Sequence, residues 1–160
     1  MADDRRHHHP SPSARRRSTR LKRGAHLQAL GRSKGGNGTK IHLLSDALGN
    51  PLRIRLTPGQ ASDYPQAKPL LEGLHVHTVI ADRGYDGDAL LAAIPNPVIP
   101  PKKNRKVQRP YDEALYKERN LIERTFLSLK NFRRVATRYD KLASSFLSFV
   151  YIASSLLWLR

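Results

Sequence analysis

The sequence predicts an α/β fold in one domain, and three patterns carry that expectation. Thr39-Lys-Ile-His-Leu-Leu-Ser45 and Leu52-Arg-Ile-Arg-Leu56 are strand-like runs on either side of a cluster of turn residues. Val76-His-Thr-Val-Ile-Ala81 is a short β-branched run that ends on Asp82. Residues 112–134 and 140–159 carry helical periodicity. With 160 residues, 39% of them hydrophobic, the chain can build one modest core and is too short for two ordinary domains.

The elements follow in order. Residues 1–30 form a predicted disordered basic arm: Met1 to Arg23 holds His7-His8-His9 and Arg15-Arg16-Arg17, with Leu21 its only large apolar residue after Met1. Three adjacent histidines on such an arm read as composition rather than as a metal site. Residues 31–160 form the folded body. Asp46-Ala-Leu-Gly49-Asn50-Pro51 turns the first strand into the second, which alternates apolar and basic. Asp63 reads as the N-cap of a helix running to about Leu74, with Ala67, Leu70, Leu71 and Leu74 on one face. The 76–81 run reads as a buried strand, Gly84-Tyr85-Asp86 as a turn, 88–93 as a short helix and Val98-Ile99 as a last strand. A basic loop over 102–109 precedes the two long helices. The uncharged stretch 142–159 approaches membrane-spanning length, but Ser144, Ser148, Tyr151 and Ser155 give it a polar stripe, so no membrane span is expected.

Charge gives the first functional hint. The formal net charge is +16, divided as +9 over residues 1–40, −2 over 41–101 and +9 over 102–160. Two basic ends around an acidic centre suit a polyanion binder with a carboxylate-bearing middle, and equally a ribosomal-type basic protein. The absence of cysteine excludes disulfides, thiolate zinc sites and thiol catalysis. No apolar run near Met1 forms a signal peptide.

Asp82 follows a strand at its C-terminal end, where open α/β sheets place functional groups; a turn cap explains it equally well alone. On the helix from Asp112, Tyr116, Arg119, Glu123 and Lys130 fall within about 60° of arc. Leu115, Ile122, Phe126 and Leu129 form a neighbouring apolar stripe. A solvated face with ordinary ion pairs is the alternative reading of that charged edge.

The spacing Tyr116-x2-Arg119-x3-Glu123-x6-Lys130 resembles the signature of bacterial insertion-sequence transposases of the DDE type, in the insertion-sequence-five group. Asp82-Arg-Gly84-Tyr85-Asp86 resembles the segment around their second catalytic aspartate. Gly31-Arg-Ser-Lys-Gly-Gly36, Thr39-Lys-Ile-His42, Gly49-Asn-Pro51, Thr57-Pro-Gly59, Arg138-Tyr-Asp-Lys141 and Ser155-Leu-Leu-Trp158-Leu extend the resemblance from about residue 27 to the end.

The resemblance implies an RNase H-like mixed sheet flanked by helices, with Asp82 the second and Glu123 the third catalytic carboxylate. They would hold Mg²⁺ (or Mn²⁺), two ions about 4 Å apart serving cleavage and strand transfer at the ends of the element. Tyr116, Arg119 and Lys130 would contact DNA beside the scissile phosphate, and Lys102, Lys103, Arg105 and Lys106 would add backbone contacts. The family's first aspartate falls close to Met1, where Asp3 and Asp4 lie in a stretch with no strand pattern. The chain therefore reads as the C-terminal portion of such a transposase, lacking the first, central strand. The partners implied are transposon-end and target DNA, a second copy of the chain and an upstream transposase fragment, in a cytoplasmic, nucleoid-associated setting. The alternative is a non-catalytic basic DNA-binding protein derived from a transposase.

Overall fold

The computed structural model describes residues 28–33 and 36–159. Asp3, Asp4 and the histidine run lie outside the described residues. Residues 28–30, expected in the arm, instead belong to the body. The Gln28 carbonyl accepts from Arg138 Nη1 at 2.8 Å, its side-chain oxygen accepts from the Ala143 amide at 2.8 Å, and Ala29 is buried.

Strand β1 (Gly31–Ser33), which the sequence pattern did not predict, pairs antiparallel with the start of β2 (Gly36–Ser45). The predicted hairpin forms between β2 and β3 (Pro51–Pro58). Its turn is built by Asp46, whose carboxylate accepts from the Leu48 and Asn50 amides at 2.9 and 2.8 Å, with Gly49 at φ +88°. Arg53 and Arg55 point to one face of β3 and Ile54 to the other. Arg53 donates to the carbonyls of Pro69, Leu70 and Glu72, closing the C-terminus of helix α1 (Tyr64–Leu71).

Strand β4 (Thr78–Ile80) pairs in parallel with β5 (Asn96–Val98) through a connection holding a 3-10 turn (Arg83–Tyr85) and helix α2 (Asp88–Ala93). The expected strand over 76–81 is shorter and only half-buried, because one edge of β4 borders a cleft. The helix expected over 112–134 is divided into α3 (Glu113–Tyr116), a 3-10 turn (Lys117–Arg119), α4 (Asn120–Lys130) and α5 (Arg133–Ala136). Asp112 caps its start by accepting from the Leu115 amide at 2.8 Å. The break before α5 comes at Phe132, whose ψ of 110° redirects the chain so that Val135 packs into the core. Helix α6 (Ala143–Trp158) starts three residues later than expected. Ser144, Ser148, Tyr151 and Ser155 are all on its exposed side, and no described helix is long and apolar enough to cross a membrane.

Two apolar clusters hold the body. Leu43 and Ile54 pack against Leu129, Val135, Phe146, Val150 and Ala153, joining the hairpin to α4, α5 and α6. Ala67, Leu90, Ile94 and Ile99 join α1 and α2 to the end of β5. Helix α1 thus covers one face of the hairpin, while α4 and α6 cover the other. The described strands form two small sheets, β1-β2-β3 and β4-β5, rather than one mixed sheet: β2 and β4 do not pair, and the cleft lies between them.

Candidate functional site

The cleft has a volume of about 680 Å³ and is walled by β2, β4, α1 and the α3–α4 segment. Its lining is largely apolar, and its polar groups include His42, Asp63, Asp82, Tyr85, Arg119 and Glu123. The structure therefore brings the two predicted catalytic carboxylates, Asp82 and Glu123, to one cavity.

Asp82 stands just beyond β4. Its Oδ1 accepts from the Gly84 amide at 2.7 Å, so the turn-capping reading holds, while Oδ2 meets no protein donor among the described residues. A Cβ on Gly84 would sit 2.8 Å from Asp82 Oδ1 and 3.4 Å from Asp63 Oδ2. Glycine thus leaves room for the Asp82 carboxylate to bond the turn.

Asp63 departs from its expected role. It makes no side-chain cap to α1; its Oδ1 accepts from Lys40 Nζ at 2.9 Å and lies 3.7 Å from His42 Nδ1. His42 is buried, with Nε2 2.7 Å from Thr57 Oγ1. Burial holds the His42 pKa below its ordinary 6.5; Lys40 and Arg55 act in the same sense, and Asp63 opposes them. Tyr85, beside both carboxylates, is pushed up to about 12 by burial and by the charges of Asp63 and Asp82.

The Tyr116/Arg119/Glu123/Lys130 face is only partly assembled. Arg119 donates to Glu123 Oε1, and its guanidinium lies 5.7 Å from the Tyr116 ring centroid. Tyr116 meets Tyr111 edge-on, with centroids 5.5 Å apart. Lys130, the last residue of α4, is exposed and outside the cleft lining. The 3-10 turn at 117–119 winds more tightly than an α-helix, so the predicted arc is not kept across it.

The basic loop is pinned from below. Buried Asp86 accepts from the Lys102 amide at 2.8 Å, from Arg105 Nε at 2.9 Å and from Arg109 Nη2 at 3.3 Å. Burial alone would raise the Asp86 carboxyl; these three donors hold it below the usual carboxylate range. Arg105, expected to face DNA, spends its charge on Asp86 and Asp88. Lys102 Nζ lies 6.0 Å from the Tyr64 ring centroid, whereas Lys103 and Lys106 are exposed without a protein partner among the described residues. Sequence reasoning quoted Asp86 within its motif and missed its role. The signal was a carboxylate sixteen residues before a Lys/Arg run, legible only once the chain is folded.

Asp82 and Glu123 are hard oxygen donors of the kind Mg²⁺ takes, and Asp82 Oδ2 is available to an ion. Among the described residues no group of three or more His, Asp or Glu side chains is gathered closely enough to hold one. Two carboxylates on one cleft supply oxygen donors of the right chemistry, without a gathered coordination set among the described residues.

Comparison with known proteins identifies the family. The chain is 44% identical over 128 residues to a Brucella ovis protein described as a transposase for insertion sequence element IS6501, covering 76% of this chain and 98% of the relative. It is 33% identical over 118 residues to a Burkholderia cepacia protein described as a transposase for insertion sequence element IS402, covering 66% of this chain and 56% of the relative. It thus spans nearly all of the first and just over half of the second. No solved structure matches. Residues 5–158 match the transposase DDE domain family, reaching further upstream than the motifs near residue 27, and the chain belongs to that family of bacterial insertion-sequence transposases.

Proposed function

We propose that the chain acts in DNA transposition as the part of an RNase H-like catalytic domain that carries its second and third carboxylates. The observation that carries this is the convergence of Asp82 and Glu123, far apart in sequence, on one cleft in a chain of the DDE family. A bound divalent ion would supply charge neutralisation at the reacting phosphate and an activated oxygen nucleophile. Asp82 Oδ2 and the Glu123 carboxylate would hold that ion. Arg119 orients Glu123 through its ion pair and is in turn steadied by the Tyr116 ring. Lys103, Lys106 and Lys130, exposed and without a protein partner among the described residues, supply salt-sensitive contacts to the DNA backbone, with Lys102 beside them. Arg105 shapes that surface by tying the loop to Asp86. The remaining catalytic carboxylate comes from outside the described residues.

The test is nicking of transposon-end DNA by the purified chain in Mg²⁺ or Mn²⁺, beside Glu123→Gln. Nicking that drops at least about 100-fold in the variant, with its unfolding temperature unchanged, supports the reading; nicking that persists refutes Glu123. A second reading, DNA binding without cleavage, is favoured by the lack of a third gathered donor among the described residues. It is met by equal, salt-sensitive binding of both proteins and no cleavage by either.

A further inference from the structure

The motif Arg138-Tyr-Asp-Lys141 has no part in the cleft, whose lining ends at Phe126. It belongs to a basic stretch: residues 130–141 hold five Lys and Arg against one acid, Asp140. Two of the five are spent on the protein. Arg134 Nη1 lies 3.5 Å from Asp140 Oδ1, with its guanidinium 4.3 Å from the Phe149 ring centroid. Arg138 donates to the carbonyls of Gln28, Asp140 and Lys141 at 2.8, 2.9 and 3.1 Å. Lys130, Arg133 and Lys141 are exposed and have no carboxylate partner among the described residues.

Between α5 and α6 the chain runs extended, from Thr137 at φ −129° and ψ 120° to Leu142 at ψ 136°. Side chains alternate along such a segment: Arg138 and Asp140 are part-buried, Tyr139 and Lys141 exposed. The Arg138 bonds to the backbone at 140 and 141 fix the connection, so what it displays is held in place. Tyr139 is 56% exposed. Its hydroxyl accepts from Arg133 Nε at 3.1 Å, and the Arg133 guanidinium lies 5.6 Å from its ring centroid. A ring this exposed adds little to the core, and a surface that only holds phosphates has no use for one. An unpaired nucleotide uses both parts, laying its base on the ring while its phosphates meet the cations. In a duplex the base faces are stacked inside and only the phosphates reach the protein.

We propose that Lys130, Arg133, Tyr139 and Lys141 form a second DNA-binding surface, outside the cleft, which takes an unpaired strand by stacking one base on Tyr139 between phosphates held by Arg133 and Lys141. The transposase family of the chain points to DNA as the nucleic acid. Lys130 ends α4 about 10 Å along that helix from Glu123, the reach of about three stacked nucleotides, and marks the side of the surface nearer the cleft. The inference needs neither an ion nor cleavage at Asp82 and Glu123.

Fluorescence polarisation of the full chain tests it, with a labelled DNA strand of about twelve nucleotides, alone and annealed to its complement. Tyr139→Leu should weaken binding of the single strand about 5- to 100-fold and of the duplex less than about twofold. Tyr139→Phe, which keeps the ring, should hold the single strand within about twofold of wild type. Tyr151→Leu, at a tyrosine 47% exposed on α6 and without a cation over its ring among the described residues, should change neither. Lys141→Gln should reduce the slope of log affinity against log salt by about 0.7 on the single strand, an effect read independently of Tyr139. All four positions are exposed, so unfolding temperatures should stay at the wild-type value. No single-strand binding by wild type overturns the inference. So does unchanged binding by Tyr139→Leu, an equal loss on strand and duplex, a loss in Tyr139→Phe as large as in Tyr139→Leu, or an unchanged salt slope in Lys141→Gln. None of these outcomes depends on whether Glu123 supports nicking.

Discussion

Replacing Asp86 with asparagine will cost about 3 kcal/mol of stability and loosen the 102–109 loop. The Asp86 side chain is 1% exposed and accepts three donors: the Lys102 amide, Arg105 Nε and Arg109 Nη2. Asparagine keeps one oxygen, which in the Oδ2 position still accepts from the Lys102 amide and Arg105 Nε but without the charge, and turns an NH₂ group towards Arg109 Nη2, donor against donor. Breaking a buried charge pair by removing one partner costs about 3–5 kcal/mol, and the lower end applies because water reaches both arginines. Urea unfolding checks this: with a slope of about 1–3 kcal/mol per molar, the midpoint falls by at least about 1 M at unchanged slope. The pH dependence gives a second reading. The folded Asp86 carboxyl titrates below its ordinary 3.8, so on acidification the unfolded chain takes up the proton first. Its stabilising contribution is complete above the ordinary value and is lost as pH falls through the folded one. Below that point wild type and Asp86→Asn, both neutral, converge. A loss under about 0.5 kcal/mol, typical of a plain surface change, or a difference that does not shrink between pH 6 and 3, refutes this account of the loop.

Leu129→Ala will cost about 2–5 kcal/mol, since Leu129 is 1% exposed between the hairpin and α6; Leu127→Ala, on the same helix but 64% exposed, will stay within about 0.5 kcal/mol, both read by chemical denaturation. His42 is held below its ordinary 6.5, so stability will fall as pH drops below 6.5 and through the folded value, because the unfolded imidazole protonates first. His42→Asn will remove that part of the slope, measured from unfolding midpoints at pH 7, 6 and 5.

What was legible in the sequence is what local chemistry determines. The hairpin was readable because alternation in both strands and the Asp46–Gly49–Asn50 turn agree within a span of twenty residues. Helix α2 and the start of the long helix at about Asp112 were readable for the same reason. Failures begin where a residue has two local meanings and a distant partner chooses between them. Asp63 sits where an N-cap belongs, yet Lys40, brought alongside by the hairpin, draws its carboxylate towards the cleft. Arg105 belongs to a basic run that suits DNA, yet Asp86 and Asp88 hold it to the protein. The break at Phe132 follows from packing of Val135 and Phe132 on the core, which helical periodicity does not encode.

The cleft is the largest departure, and there the error carries information. The run Val76-His-Thr-Val-Ile-Ala81 reads as a buried strand because it is β-branched and does not alternate cleanly, the pattern of a strand enclosed on both faces with neighbours at both edges. In the fold Thr78, Val79 and Ile80 are all half-exposed, and Ile41, across the cleft, is also only partly buried. Ile41, Thr78 and Ile80, whose outward backbone groups have no partner among the described residues, also line the cleft between β2 and β4. The sequence of β4 suits an environment one strand wider than the described residues provide. Its apolar, β-branched composition is that of a strand enclosed on both faces, whereas among the described residues β4 is flanked by β5 alone and borders the cleft.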